Sequence, residues 1–380
     1  MFSEKMERRK FIKKMSSAFM GVVGSHIWSG LQLGHAEKKP ALEYRTLGKT
    51  GLKVTAVSMG VMNCSDPAVL HRAFDLGINF YDTAPSYMRG TNEEMVGKVF
   101  KGKREKVFIQ TKVHAHEEKK MRASVERSLR RLQTDYLDVL LWHGLHSPEE
   151  VCDAGLFEFM VKMKKEGKVR FTGFSAHSNM ANLLIEATKS NFHDVALASY
   201  NFTHSKKLKE AVALAAKSGI GIIAMKTQAG GYKKEKMGSL TPHQAALKYV
   251  LMNQNISVAV PGVTTIEQIE ECAGVMGTPF SKKNLNELKQ YQSFLHGRVC
   301  TMCGGCTGQC PYGMSHNDLL RLVMYRDGYE NGSLLRESLQ MMTRQEIQRC
   351  SECPSCSVIC RRGLDIQAQI QGIQSLEFGV

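Results

Sequence analysis

Cysteine is nearly absent from the first 299 residues of this 380-residue chain, where only Cys64, Cys152 and Cys272 occur. Scattered singly, these three make no disulfide framework and read as buried thiols. Acidic residues are also in short supply, with 36 against 51 basic ones, and the chain carries a net charge of +15. Such a surface can attract nucleic acid, anionic lipid or anionic substrates. However, no nucleic-acid-binding motif accompanies it. The lysine runs (Lys162 to Lys168, Lys206 to Lys209, Lys233 to Lys236) fall on expected helix faces or loops. They read as solvated surface, and no nucleic-acid partner is expected. Hydrophobic content of 43% and charged content of 23% exclude a disordered or fibrous chain.

Charge is missing altogether from Ser16 to Gly34, "SSAFMGVVGSHIWSGLQLG". A transmembrane helix needs about 20 apolar residues, but Gly, Ser, His and Gln make this stretch only weakly hydrophobic. Before it stands "ERRKFIKK". Arg8, Arg9, Phe11, Ile12 and Lys13 resemble a bacterial twin-arginine (Tat) export signal, with Glu7 where Ser or Thr is usual. Gly34-His35-Ala36 offers small residues for cleavage after Ala36. The resemblance implies a signal over residues 1–36, the Tat export machinery as a partner, and a periplasmic protein. If the segment stays uncleaved, the protein is membrane-tethered.

From Lys53 onward short apolar runs alternate with amphipathic stretches. The strand candidates are "KVTAVSMGV", "NFYDTA", "VFIQTK", "DVLLWH", "RFTGFS", "VALASY", "IGIIAM" and "SVAVPG". All are rich in Val, Ile or Phe, as strands buried on both faces should be. Met121 to Gln133 carries Val125, Leu129 and Leu132 at helical spacing, and Ser147-Pro148-Glu149-Glu150 is a strong helix start. The pattern predicts an α/β fold, a (β/α)₈ TIM barrel over residues 43–280. A doubly wound open sheet would normally use fewer strands. Residues 281–296 read as an extra helix, and 297–380 as a small α-helical, cysteine-bearing module.

Eight cysteines crowd into that module as "CTMCGGCTGQCP" and "CSECPSCSVIC". Cys300, Cys303, Cys306 and Cys310 repeat the spacing of Cys350, Cys353, Cys356 and Cys360, and both runs are the C-x₂-C-x₂-C-x₃-C of bacterial ferredoxins. In that arrangement the fourth cysteine of each run serves the other cluster. One [4Fe-4S] cluster then takes Cys300, Cys303, Cys306 and Cys360, and the second takes Cys350, Cys353, Cys356 and Cys310. Zinc is the rival, but zinc normally uses two C-x₂-C pairs per ion. Two clusters imply electron transfer, with a purely structural pair as the alternative.

In a TIM barrel, chemistry sits in the loops that follow the strands. Asp82 ends the second strand, Tyr87 follows in its loop, Lys112 ends the third and His143 ends the fourth. Tyr is a poor acid at neutral pH, a Lys cation stabilises its phenolate, an Asp holds the Lys, and a His polarises a carbonyl. The set suits proton delivery to a carbonyl oxygen. The bland alternative is a buried Asp82–Lys112 ion pair with an unrelated Tyr and His. Cys64 follows the first strand, near the same end.

Residues 43–277 resemble the aldo-keto reductase family. "YRTLGKTGLKVTAVSMG" is similar to its opening hairpin and first strand. "GINFYDTAPSY" and "EEMVGKVF" resemble the segment around its Asp and Tyr, and "IQTK" and "LLWH" its Lys and His segments. The whole chain resembles the subgroup with a ferredoxin-like module and a twin-arginine signal. The resemblance implies Tyr87 as proton donor, Lys112 as its tuner, Asp82 as support and His143 as substrate orienter. It also implies NADPH or NADH, contacted by Gly60, Met62, Ser175, Met225, Lys226, Gly230, Gly262, Gln268 and Glu271, with Gly231 beside Gly230. Four of the expected cofactor contacts depart from the family. Ala176 stands for an Asn, Leu197 for a Gln, Met225 for a Tyr, and Gln268 for an Arg that would hold a 2′-phosphate.

Two enzymatic versions follow for a small carbonyl or alcohol substrate. One is driven by a nicotinamide. The other is fed through the clusters by a periplasmic or membrane electron donor, since free NAD(P)H is not expected in the periplasm. A non-catalytic electron-transfer protein with the barrel as scaffold is a further alternative. A metal-dependent barrel hydrolase is another, because His114, His116, His143, His146 and His177 all follow the third to fifth strands.

Overall fold

The structure is a computed structural model that describes residues 41–114, 117–230, 240–303, 305–314, 316–339, 349–350 and 353–378. The expected export signal, His116 and Gly231 lie outside the described residues. Among the described residues no helix is long and apolar enough to cross a membrane.

The chain opens with a hairpin, β1 (Tyr44–Thr46) against β2 (Lys53–Thr55). Its buried Leu47, Leu52 and Val54 pack against Phe80, Val139, Leu141, Val195, Leu197 and Ile223 inside the strands that follow. The hairpin therefore plugs one end of the barrel. Glycine makes the close approach feasible. Gly48 adopts φ 51°, and a Cβ there would lie 2.2 Å from the Gly221 nitrogen. With that end filled, chemistry is left to the opposite end.

Eight parallel strands follow: β3 (Met59–Gly60), β4 (Phe80–Asp82), β5 (Phe108–Val113), β6 (Leu137–Trp142), β7 (Val169–Ala176), β8 (Val195–Ser199), β9 (Gly221–Met225) and β10 (Val258–Ala259). They pair in consecutive order. Parallel bridges from Val57 to Ala259 and from Gly60 to Gly262 join the last strand to the first. This is the expected (β/α)₈ barrel. β6 is buried at all six positions, as befits a strand covered on both faces.

The first expected strand, Lys53 to Val61, is divided. Thr55 and Ser58 share a side-chain hydrogen bond of 2.9 Å, and the Ser58 hydroxyl donates to the Thr55 carbonyl at 3.0 Å. These local bonds bend the chain, leaving Lys53–Thr55 to the hairpin and Met59–Gly60 to the barrel.

The helices between strands are α1 (Pro67–Asp75), α2 (Thr91–Phe100), α3 (Glu118–Leu132), α4 (Pro148–Val151), α5 (Ala154–Lys165), α6 (Met180–Ser190), α7 (Lys206–Lys217), α8 (Pro242–Met252) and α9 (Ile266–Ala273). The Ser147 start forms a full capping box with Glu150. It opens only one turn, because Asp153 recaps the chain for α5 by accepting from the Leu156 N–H at 2.7 Å.

The expected extra helix is α10 (Lys282–Leu295). Beyond it, α11 (His316–Asp327), α12 (Gly332–Leu339) and α13 (Ile366–Phe378) surround a short antiparallel pair, β11 (Cys306–Thr307) with β12 (Ile359–Cys360). Leu319, Leu322, Val323, Leu335, Ile366 and Ile370 form this module's own apolar core, and barrel residue Met62 packs against it. A buried polar contact adds to the seat. The Asn201 N–H donates to His204 Nδ1 at 3.0 Å, so Nε2 carries the proton and donates to the Met302 carbonyl at 3.0 Å. The module thus sits over the barrel end where the strands finish.

Candidate active site

Three adjacent strand ends, β4, β5 and β6, bring Asp82, Tyr87, Lys112 and His143 together. Lys112 is fully buried, and its ammonium donates to Asp82 Oδ1 at 2.6 Å and to the Thr83 carbonyl at 2.7 Å. Gln110 donates to the same Asp82 oxygen at 2.7 Å. Lys112 Nζ also lies 4.8 Å from the Tyr87 ring centroid. The Tyr87 and His143 rings meet edge-on with centroids 6.3 Å apart.

Burial, followed by the nearby Asp82 charge, pushes the Tyr87 pKa well up. This differs from the expectation that Lys112 lowers it. The lysine spends its charge on Asp82 and Thr83, and desolvation of the phenolate wins. Tyr87 therefore holds its proton at neutral pH, which a proton donor requires. Burial and the Lys112 charge push the His143 pKa well down, so its ring is neutral. Its Nδ1 is buried without a partner, as is Nδ1 of His177. Both atoms await something polar.

The turn that carries Tyr87 is braced from behind. Met88 and Arg89 adopt left-handed φ values of 49° and 54°, and Gly90 follows at 95°. Arg131, on α3, donates to the Pro85 carbonyl at 3.3 Å and to the Arg89 carbonyl at 3.4 Å. It also pairs with buried Glu93 at 3.4 Å. A Cβ on Gly90 would fall 2.0 Å from the Arg131 guanidinium carbon. Asn92 ties this turn to the first strand's loop, donating to the carbonyls of Val61 and Cys64. Neither Arg131 nor Asn92 belongs to the segment set singled out in the sequence.

Tyr87 and His143 face a cavity of about 350 Å³. Its floor comes from the barrel, with Gly60, Met62, Met225, Lys226 and Gly262. His114, His146 and His177 line it too, and the His114 and His143 rings lie 4.3 Å apart. A hydrolase metal would need a carboxylate here, but the Asp82 oxygen is committed to Lys112 and Gln110. Its roof comes from the cysteine module: Asp318, Arg321, Leu322 and Tyr325 of α11, then Tyr329 and Leu334. The helical spacing of Asp318, Arg321 and Tyr325 is the one sequence signal that could have found them, and no motif marks it.

The remaining cofactor positions are divided. A neighbouring groove is lined by Gly230, Gln268, Glu271 and, from the module, Gly328, Tyr329 and Glu330. Gln268 Oε1 already accepts from the Thr264 N–H at 2.7 Å and from its hydroxyl at 3.1 Å. Glu271 takes the Thr241 hydroxyl. Ser175 lies fully buried, with its hydroxyl taking the Gly144 N–H at 2.9 Å. Ser175, Gln268 and Glu271 are thus engaged within the fold, whereas the Lys226 ammonium is not, and Tyr329 borders both cavities.

The eight thiols fit a different cofactor. Burial pushes Cys300 up to about 12, with Cys306, Cys303 and Cys360 as its charged neighbours. It pushes Cys350 up to about 11, with neighbours Cys356, Cys310 and Cys353. Cys306, also about 11, feels Cys360, Cys303 and Cys356. The β11–β12 register sets Cys306 directly opposite Cys360. Cys310, Cys350, Cys353 and Cys356 line one small cavity with Met314, Leu319 and Ile370. A metal partner deprotonates such grouped thiols, which suits iron–sulfur ligation.

A barrel with this Asp, Lys, Tyr and His set at its strand ends, roofed by a cysteine-rich module, defines an oxidoreductase. Residues 63–242 match the Aldo/keto reductase family, and residues 299–365 match the 4Fe-4S dicluster domain. The barrel is thus similar to the aldo/keto reductases, and the cysteine-rich module of this chain is similar to 4Fe-4S dicluster domains. It is 28% identical to L-galactose dehydrogenase of Arabidopsis thaliana over 278 residues, 60% of this chain and 86% of that protein. It is 39% identical to methylglyoxal reductase YeaE of Escherichia coli (strain K12) over 115 residues, 29% of this chain and 39% of that one. Among solved structures, the holo form of aldo-keto reductase AKR11C1 from Bacillus halodurans superposes with a TM-score of 0.58 at 24% identity, covering 66% of this chain and 96% of that one.

Proposed function

We propose that this oxidoreductase is an exported enzyme that interconverts a small carbonyl compound and its alcohol, with electrons passing through two [4Fe-4S] clusters. The observation that carries the reading is the shared cavity, lined by Asp82, Tyr87 and His143 with Lys112 paired to Asp82 behind them, and roofed by the cysteine module. Reduction of C=O to CH–OH takes two electrons from the donor and two protons drawn ultimately from solvent, one delivered to oxygen and one to carbon. Tyr87 supplies the proton that reaches oxygen, and neutral His143 orients that oxygen by a hydrogen bond. Asp82 fixes Lys112 beneath the Tyr87 ring. The module's helix covers the mouth and keeps bulk water out. When bound, the clusters supply one-electron transfer, held by Cys300, Cys303, Cys306 and Cys360 and by Cys310, Cys350, Cys353 and Cys356. The electrons come from a periplasmic or membrane one-electron donor.

Export by the twin-arginine route is part of the same proposal. Clusters are built in the cytoplasm, so the chain leaves folded around them, and residues 1–36 supply the address. The test is anaerobic turnover of the cluster-loaded protein with a reduced one-electron dye, compared with NADH and NADPH. Turnover with the dye alone is expected. Full turnover by cluster-free protein with NADPH or NADH would overturn the cluster-fed reading. For export, Arg8→Lys with Arg9→Lys should trap the protein in the cytoplasmic fraction.

A further inference from the structure

Charges in the cavity do not balance. Lys112 is matched by Asp82 at 2.6 Å, and Arg321 by Asp318 at 2.9 Å. Lys226 is the odd cation. Its ammonium lies 5.8 Å from the Tyr325 ring centroid, and no carboxylate among the described residues pairs with it. Its backbone is held at φ 53°, with its carbonyl accepting from Asn201 at 3.0 Å, so the position is fixed by the fold. A half-buried cation that lines a cavity without a carboxylate partner attracts an anion.

We propose that Lys226 and Arg321 bind an anionic group, a carboxylate or a phosphate, on the carbonyl substrate. The iron–sulfur module then helps to choose the substrate as well as to feed it electrons. Arg321 stands where this needs it. It lines the same cavity as Tyr87, His143, His177 and Lys226. The His177 Nδ1, buried without a partner, offers a third polar contact. A cavity of about 350 Å³ suits a small oxo acid or a short phosphorylated aldehyde.

This inference rests on the carbonyl reading of the site, but its test reads binding and not turnover. The cluster-loaded chain is titrated calorimetrically with pyruvate and its neutral counterpart pyruvamide, and with glycolaldehyde phosphate and glycolaldehyde. At least one anion should bind roughly tenfold or more tighter than its neutral partner, as expected for a buried charge-assisted contact. The preferred pair tells carboxylate from phosphate. Lys226→Gln and Arg321→Gln should each abolish most of that preference while moving the neutral ligand less than about threefold. Should Arg321→Gln lose the clusters' visible absorbance, Lys226→Gln and the charge-keeping Arg321→Lys decide. Equal binding of anion and neutral partner, or a preference that survives in Lys226→Gln, overturns the proposal. Failure here with Tyr87-dependent turnover intact would leave the carbonyl reading standing.

Discussion

Lys112 Nζ and Asp82 Oδ1 lie 2.6 Å apart, with side chains only 1% and 8% exposed. So deeply buried a pair has a clear sign for mutation. Removing one partner strands the other charge in low dielectric, which costs about 3–5 kcal/mol. Asp82→Asn should therefore lower the unfolding midpoint markedly in denaturant titrations. It should also cut carbonyl turnover, because Lys112 loses its position beneath the Tyr87 ring. A variant as stable as the parent would show that the pair is not buried as described.

Tyr87→Phe separates chemistry from folding. The ring and its packing remain, and only the proton is lost. Turnover should fall roughly 10²- to 10⁴-fold, with unfolding midpoint and cluster absorbance unchanged. The pH profile carries a second expectation. Burial holds the Tyr87 pKa well above its ordinary 10.0. Carbonyl reduction should thus show no alkaline limb from Tyr87 at or below that pH. An alkaline limb near neutral pH that vanishes in Tyr87→Phe would contradict this.

Arg131→Met probes how the turn is held. Its guanidinium bonds the Pro85 and Arg89 carbonyls behind a turn with two left-handed residues, Met88 and Arg89. Without it Tyr87 should be misplaced, and a small misplacement costs catalysis heavily, to about 10²-fold. The loss should appear in kcat, with ligand binding at Lys226 and Arg321 retained in calorimetry. Normal kcat would show that the turn holds itself.

Much of this was legible in the sequence because parallel barrel strands must be apolar, so a polar residue at a strand end stands out. Asp82, Lys112 and His143 were visible for that reason. The spacing of the cysteines was visible because cluster ligation dictates it. What the sequence hid depends on long-range meetings. Arg321 and Tyr325 face the site only because α11 lies over the barrel mouth, and helical spacing alone does not say which face a helix turns to a neighbour. Arg131 reads as one more basic residue on an exposed helix. The divided first strand and the single-turn α4 were also hidden. In each, a local hydrogen bond, donated by Ser58 or accepted by Asp153, overrules an otherwise continuous pattern.

Two buried histidines set the acid limit of stability. His193, whose Nε2 meets the Val151 carbonyl at 2.9 Å, is lowered by burial to about 4, and so is His204. Both are neutral in the fold but gain a proton near pH 6.5 when unfolded. Between about pH 6.5 and 4 the unfolded chain therefore binds more protons, and stability falls as pH falls. Each histidine contributes up to about 3 kcal/mol of that loss. Unfolding midpoints should drop across this window, and His193→Gln should flatten part of the slope. A slope confined to pH below 4 would assign acid sensitivity to the carboxylates instead.

Cluster ligation can be tested by exploiting the crossing of the two motifs. Cys360 belongs by sequence to the second run, yet it faces Cys306 across the β11–β12 pair. Cys310 belongs to the first run, yet it shares a cavity with Cys350, Cys353 and Cys356. Anaerobically loaded protein should hold about eight irons per chain. Cys360→Ala and Cys306→Ala should then damage the same cluster, and Cys310→Ala and Cys350→Ala the other. In paramagnetic resonance of the reduced protein, the first two variants should lose one signal in common, and the last two should lose the remaining one. If Cys360→Ala instead matched Cys350→Ala, each motif would be closing its own cluster. Retention of about two zinc ions in place of iron would remove the electron-transfer role altogether.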